Sequence, residues 1–183
     1  MPAVTLDKVN RVNGGRQHEM PGSSGWDEWL TRHAPKLLLY ARQQARCEAD
    51  ARELVQDAVV EAWRRQGDGT MPAPGLIFGL IRRRAIDLAR RNDRRLNRET
   101  AAYDTAPQEW FAPEIEDRER ARMLQDALSR LPAAQREVVT LKVWGELTFA
   151  EIAEALDIPA NTAASRYRYA LEELRKLTKE VFA

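Results

Sequence analysis

The sequence has few of the residues on which disulfides, metal centres and many enzyme sites depend. Its 183 residues include one cysteine, Cys47, and two histidines, His18 and His33. A single cysteine allows no internal disulfide and no cysteine-based zinc site. Neither histidine belongs to a metal-ligand cluster, and no nucleophile motif or glycine-rich phosphate loop is present. These absences argue against an enzyme, and they predict neither a metal ion nor any other cofactor.

Long apolar runs are missing as well. No segment approaches the roughly 18 apolar residues that a membrane-spanning helix needs, and polar residues interrupt 1–16 where a signal peptide requires an apolar core. We therefore expect a cytoplasmic protein. Apolar residues make up 44% of the chain and charged residues 31%, which is typical of one medium or two small globular domains.

Charge of either sign is abundant, and it is sorted along the chain although the net charge is only +1. Eight arginines and two aspartates lie between Arg82 and Arg98, whereas six acidic residues and one arginine lie between Asp104 and Glu119. Guanidinium groups fork onto phosphate oxygens, so the basic block suits nucleic acid. The alternative is a solvated helix face that pairs with the acidic segment. The arginines expected to face outward for DNA are Arg82, Arg83, Arg90 and Arg91.

Helical periodicity recurs along the chain, and no strand-like alternation is found. We expect a disordered arm over 1–25, and a first helix that begins near Pro35. Asp50 is expected to cap a second helix, whose inward stripe ends at Ala62 and Trp63. A third helix follows the Gly- and Pro-rich segment 67–75. The outward face of the second helix is predicted to carry Glu53, Gln56, Asp57, Val60 and Glu61.

Two short helices joined by a tight turn are predicted in the C-terminal part, after a helix over 115–131. Thr148 and Glu151 have the spacing of a capping box, and Pro159 ends the helix that they start. Asn161 or Thr162 is expected to cap the next helix. This helix–turn–helix suits DNA reading, although an ordinary helical hairpin has the same pattern. The candidate DNA-reading residues are Asn161, Thr162, Ser165, Arg166, Arg168 and Tyr169.

The expected architecture is therefore all-α, with two small helical domains at 26–98 and 114–181. The linker over 99–113 is acidic, and its Trp110 and Phe111 are expected to pack on one domain.

The residue pattern also resembles a known family. Several segments match the residues that bacterial RNA polymerase sigma factors of the extracytoplasmic-function type carry in their C-terminal domain. These segments are Leu131-Pro132, Arg136-Glu137-Val138, Glu151-Ile152-Ala153, Thr162 and Ser165-Arg166. Two further segments occur in the same order as in the other domain of these sigma factors, namely Leu54-Val55-Gln56-Asp57 and Ala85-Ile86-Asp87. The chain departs from the family pattern at Leu76, Arg83, Ala163-Ala164 and Tyr169.

The resemblance implies a sigma factor that binds core RNA polymerase and promoter DNA. The second helix would dock on the polymerase, and the third would bind and open the minus-ten element. The helix–turn–helix would read the minus-thirty-five element, and an anti-sigma factor is allowed as a further partner. Two alternatives remain at this point: a dimeric helix–turn–helix regulator that acts without polymerase, and an interaction module with no role on DNA.

Overall fold

The computed structural model describes residues 23–66, 70–96, 109–111 and 117–181, and in these ranges the regular structure is entirely α-helical. The predicted all-α fold is confirmed. The helices are α1 (Ser23–Gln44), α2 (Glu48–Gln66), α3 (Pro74–Leu96), α4 (Arg118–Arg130), α5 (Ala133–Val143), α6 (Phe149–Leu156) and α7 (Ala160–Val181).

Several helix ends differ from those expected. Helix α1 begins at Ser23 and includes Pro35, so residues 23–25 belong to a helix rather than to the predicted arm; residues 1–22 lie outside the described part of the chain. Upstream of Pro35, Trp29 stacks on His33 with ring centroids 4.4 Å apart, which supports the earlier start. Asp50 lies inside the first turn of α2 and is not its cap. Helix α4 ends at Arg130, one residue before the predicted end, and residues 115–116 lie outside the described part of the chain.

Helices α1, α2 and α3 pack around apolar side chains. Tyr40 and Phe78 are almost completely buried and meet edge to face, with ring centroids 5.5 Å apart. Aromatic pairs in this arrangement gain stability beyond the area that they bury. The small residues Ala51, Ala58 and Ala62 of α2 have no exposed surface, which allows α2 to lie close against its neighbours. Trp63, expected in the same stripe, is 48% exposed instead.

The α1–α3 group and the α4–α7 group share one apolar core. The buried cluster that contains Tyr40 and Phe78 also contains Val138, Ile152 and Leu156 from α5 and α6. Helix α6 crosses α3 closely at Gly79, where a Cβ atom would stand 3.2 Å from the Ala155 carbonyl oxygen. The division into two domains stays a prediction, because the two groups are packed together in this structure.

The described part of the linker, 109–111, lies between the two groups. The Trp110 amide donates to Gln125 Oε1 at 2.8 Å, and Arg136 lies 5.3 Å from the Trp110 ring centroid. Phe111 packs on Trp144 of α5's C-terminal end, with ring centroids 5.5 Å apart. Most of these contacts are with α4 and α5. The Trp110 carbonyl contacts the other group, since it accepts from Arg42 Nη1 of α1 at 3.1 Å.

Candidate nucleic-acid interface

The helix–turn–helix starts at the predicted capping box. The Glu151 amide donates to Thr148 Oγ1 at 3.3 Å, and the Thr148 amide donates to Glu151 Oε2 at 2.7 Å. That backbone hydrogen bond lowers the pKa of Glu151 below its ordinary value, and the Thr148 hydroxyl adds to the effect. Both orphan amides are therefore satisfied, and the charged carboxylate also suits the positive end of the helix dipole. The capping-box prediction is confirmed.

The turn between α6 and α7 is tight because Asp157 adopts a left-handed backbone with φ of 55°. Helix α7 then begins at Ala160, and the Thr162 and Ala163 amides both donate to the Pro159 carbonyl. Asn161 and Thr162 therefore lie in the first turn, and the prediction that one of them caps the helix is wrong. Both residues therefore belong to the N-terminal end of α7, which is the end that contacts base edges in helix–turn–helix proteins.

The candidate reading residues of α7 differ in exposure. Asn161, Arg168 and Tyr169 are exposed, whereas Thr162, Ser165 and Arg166 are half-buried. The Ser165 hydroxyl donates to the Thr162 carbonyl at 3.0 Å, so its oxygen is left to accept from a partner. The Arg168 guanidinium lies 5.0 Å from the Tyr169 ring centroid. This cation–π contact, which the sequence pattern did not indicate, holds two exposed side chains of the reading face together.

The inward face of α7 fixes how this surface is presented. Ala163 and Ala170 are fully buried, and Tyr167 meets Phe149 of α6 at a centroid distance of 5.7 Å. These contacts attach α7 to α6. Leu171 fits the helical spacing of this inward face, yet it is 42% exposed.

The arginines of α3 do not all face solvent. Arg83 and Arg90 are exposed as predicted. Arg82 is 31% exposed and its Nε lies 3.3 Å from Glu137 Oε1 of α5, so its predicted outward position is wrong in this arrangement. Arg91 is exposed but lines a groove with acidic residues of α2. The basic face that is open to solvent therefore centres on Arg83 and Arg90.

The outward face of α2 is acidic. Glu53, Gln56, Asp57 and Val60 are exposed, and Glu61 is half-buried. Among the exposed apolar side chains, Trp63 lies one turn beyond Val60. Helical periodicity assigned Trp63 to the interior because the period alone does not indicate which turns of a helix are covered by neighbours.

Arg84 joins the acidic face to α3. Its Nη1 lies 2.8 Å from Asp57 Oδ2, and its Nη2 lies 2.6 Å from Glu61 Oε2. These two carboxylates compensate the charge of an arginine that is half-buried between α2 and α3. Asp57 and Glu61 thus stabilise the α2–α3 contact in addition to lining the surface.

Within the described ranges, no group of three or more histidine, cysteine and acidic side chains is arranged to hold a metal ion. The helices in those ranges are also too polar or too short to cross a membrane.

Known protein families match both the α1–α3 part and the α4–α7 part of the chain. Residues 29–95 match the family Sigma-70 region 2, and residues 121–174 match Sigma-70, region 4. The ECF RNA polymerase sigma factor RpoE of Cereibacter sphaeroides is 30% identical over 175 residues, which cover 93% of this chain and 94% of that protein. The ECF RNA polymerase sigma factor SigL of Mycobacterium tuberculosis is 31% identical over 153 residues, covering 81% of this chain and 86% of that protein.

A solved structure has the same fold. The sigma factor RpoE from Bartonella quintana, in complex with the anti-sigma factor NepR, superposes with a TM-score of 0.64 and 22% identity, covering 85% of this chain and 98% of that one. The family matches set aside the two alternatives, a polymerase-independent regulator and an interaction module. With both sigma regions present in order, the chain belongs to the extracytoplasmic-function RNA polymerase sigma factors and directs promoter-specific transcription initiation.

Proposed function

We propose that the three surfaces described above divide the work of promoter recognition. The exposed face of α2 docks on core RNA polymerase, the arginines of α3 bind the minus-ten element, and α7 reads the minus-thirty-five element. The surface that carries this proposal is the N-terminal half of α7, where Asn161, Arg168 and Tyr169 are exposed. Arginine and asparagine side chains form hydrogen bonds with base edges in the major groove and with the phosphates of the backbone.

The DNA-reading role is tested with Arg166→Ala and Arg168→Ala in transcription assays with core polymerase. Each variant is expected to lower promoter-specific transcription, because the loss of a contact to a base edge costs about 1–3 kcal/mol and the loss of a phosphate contact weakens binding to any sequence. Lys176→Ala is the matched control, since it removes a positive charge from the other end of α7. Full activity of both arginine variants on a promoter with an intact minus-thirty-five element would show that α7 does not read it.

The role of α3 is tested through the salt dependence of promoter binding. If Arg83 and Arg90 each neutralise one phosphate, Arg83→Ala or Arg90→Ala should reduce the slope of log K against log salt by roughly 0.9. Permanganate footprinting then reports whether the strands still open. An unchanged slope and an unchanged bubble in the double variant would remove α3 from the DNA interface.

The docking role of α2 is tested with the double variant Glu53→Lys and Gln56→Lys. Both side chains are exposed, so the fold should persist while the negative charge of the docking face is neutralised. Asp57 is left intact because its change would also break the ion pair with Arg84. Titration of core polymerase should show weaker binding than for Glu28→Lys, an exposed charge reversal on α1. Wild-type affinity in the double variant would move the docking site elsewhere.

We also propose an anti-sigma factor as a partner, on the grounds that one similar structure contains an anti-sigma factor and another contains a bound partner protein. The Bartonella quintana sigma factor was solved with the anti-sigma factor NepR, and CnrH was solved with the cytosolic domain of CnrY.

A further inference from the structure

Helix α7 carries an arginine, Arg168, that makes no ion pair with the described residues and rests on an aromatic ring instead. Its guanidinium carbon lies 5.0 Å from the ring centroid of Tyr169, the next residue along the chain. Both side chains are exposed, and Tyr169 is 51% exposed. A guanidinium over an aromatic ring is attracted by the negative face of the ring, while its N–H donors stay available at its edges. The contact therefore orients Arg168 without occupying its hydrogen-bond donors.

The backbone that carries this pair is held from the inner side of α7. Ala170 follows the pair and is completely buried. Tyr167 precedes the pair and meets Phe149 of α6 with ring centroids 5.7 Å apart. Because successive helical residues are turned by about 100°, the two residues between these inward anchors leave the packed side of the helix. The cation–π pair of Arg168 and Tyr169 is therefore presented to solvent on a fixed backbone.

Arg168 shares its face of α7 with Asn161, which lies in the first turn. The two residues are seven positions apart, which is close to two helical turns and about 10 Å along the axis. In helix–turn–helix proteins the N-terminal residues of the second helix contact base edges in the major groove, which is about 12 Å wide. A side chain about 10 Å further along the helix has passed the middle of such a groove. Arg168 is therefore placed for the phosphates at the edge of the groove and not for the base edges within it.

A competing partner for Arg168 lies one turn further along α7. Glu172 is exposed and stands four residues after Arg168, the spacing at which opposite charges on one helix pair. On the other side, the residues three and four positions earlier are Ser165 and Ala164, which carry no charge. An ion pair with Glu172 would neutralise Arg168 and repel a phosphate. The structure places the guanidinium on the Tyr169 ring instead, so its positive charge remains uncompensated by the helix that carries it.

We propose that Tyr169 is a positioning residue, which holds Arg168 ready for a DNA phosphate beside the minus-thirty-five element. The ring restricts a long side chain before DNA arrives, so less conformational freedom is lost on binding, and it keeps the guanidinium away from Glu172. The phosphate contact strengthens binding without reading sequence, since a phosphate carries no information about its base. This inference rests on the proposed function, because it requires that α7 binds promoter DNA.

Three substitutions separate a positioning role from a direct contact with DNA. Tyr169→Leu removes the aromatic face and keeps an apolar side chain that favours the helix. Tyr169→Phe keeps the face and removes only the hydroxyl, so it preserves a role of the ring and abolishes a hydrogen bond from the hydroxyl. Arg168→Ala removes the positive charge itself. Leu171→Ala, which shortens another exposed side chain of α7, is the matched control.

The first measurement is the NMR chemical shift of the Arg168 side-chain protons in the full-length protein. The ring current of residue 169 should move these protons upfield in wild type, Tyr169→Phe and Leu171→Ala. In Tyr169→Leu the upfield shift should disappear, with unchanged helix content by circular dichroism. Arg168 shifts that are the same in wild type and Tyr169→Leu would overturn the inference, because the ring would then not hold the guanidinium.

The second measurement is the affinity of holoenzyme, assembled from each variant and core polymerase, for promoter DNA at a series of salt concentrations. Tyr169→Leu should weaken binding roughly two- to fivefold, as expected for the loss of an exposed cation–π contact. Tyr169→Phe and Leu171→Ala should stay close to wild type. Arg168→Ala should weaken binding at least as much as Tyr169→Leu and lower the slope of log K against log salt by roughly 0.9. A loss in Tyr169→Phe as large as in Tyr169→Leu would assign the effect to the hydroxyl and overturn the inference.

A double-variant cycle then tests whether Tyr169 acts through Arg168. In the Arg168→Ala background, Tyr169→Leu should cause no further loss of affinity, because the ring has no guanidinium to hold. A further two- to fivefold loss, on the order of that in the wild-type background, would show that Tyr169 contacts DNA by itself, which overturns the positioning role and leaves the proposed function standing. Wild-type affinity of Tyr169→Leu beside a weakened Arg168→Ala would do the same. Wild-type affinity of both Arg166→Ala and Arg168→Ala would instead refute the proposed function of α7, and the inference with it.

Discussion

At the scale of single residues, Glu48 provides a titration that can be tested. Arg42 forks onto it, with Nε and Nη2 at 2.7 and 2.9 Å from the two carboxylate oxygens, and Arg52 Nε lies 2.9 Å away. The hydrogen bond from Arg42 is the main reason that the pKa of Glu48 is about 2 rather than the ordinary 4.5. Because the folded pKa is the lower one, the ion pairs contribute fully above about pH 4.5 and are lost as the pH falls toward about 2.

We therefore expect Glu48→Gln to reduce the free energy of unfolding near neutral pH by about 1 kcal/mol, a figure lowered for the partial exposure of the carboxylate. The difference from wild type should shrink between about pH 4.5 and 2, and urea unfolding at a series of pH values measures it. Glu28→Gln removes an ion pair with Arg32 in which both side chains are largely exposed, so it should have little effect. A wild-type to Glu48→Gln difference that stays constant down to pH 2 would contradict the pKa assignment.

At the scale of helices, the capping box of α6 contributes stability that a small change removes. Thr148→Ala deletes the oxygen that accepts from the Glu151 amide, and we expect it to cost about 1 kcal/mol of unfolding free energy. Thr148→Ser keeps the hydroxyl and should stay close to wild type, which separates the cap from general effects at this position. Chemical unfolding followed by circular dichroism measures both. Equal destabilisation of the serine and alanine variants would mean that the cap is not the cause.

The same scale shows what the sequence could and could not predict. The Thr148–Glu151 cap and the stop at Pro159 were predictable because their signals are local, within a few residues. The start of α1 was not, since it depends on packing upstream of Pro35 that outweighs the proline. Trp63 and Leu171 fit the helical period, but both side chains are nearly half exposed. Arg82 was expected outward because its partner, Glu137, is 55 residues away in the sequence.

At the scale of the whole molecule, the shared core predicts how the chain unfolds. Ile152 and Leu156 of α6 belong to the same buried cluster as Tyr40 and Phe78, so neither helix group can lose its structure without exposing apolar surface of the other. We expect free wild-type protein to unfold in one calorimetric transition, whose calorimetric and van't Hoff enthalpies agree. Glu137→Gln should broaden or split that transition, whereas Glu154→Gln should not. Two well-separated transitions in the wild type would show that the groups fold independently.

The crossing of α3 and α6 has a consequence for the exchange of parts between sigma factors. Gly79 of α3 faces the backbone of Ala155 in α6, and a Cβ atom there would stand 3.2 Å from the Ala155 carbonyl oxygen. A chimera that combines residues 23–96 of this chain with the second half of a relative therefore keeps this packing only if the relative's helix leaves the same space. A larger side chain at position 79 would force α6 to shift, so the two halves are matched to each other at this crossing and are not freely interchangeable.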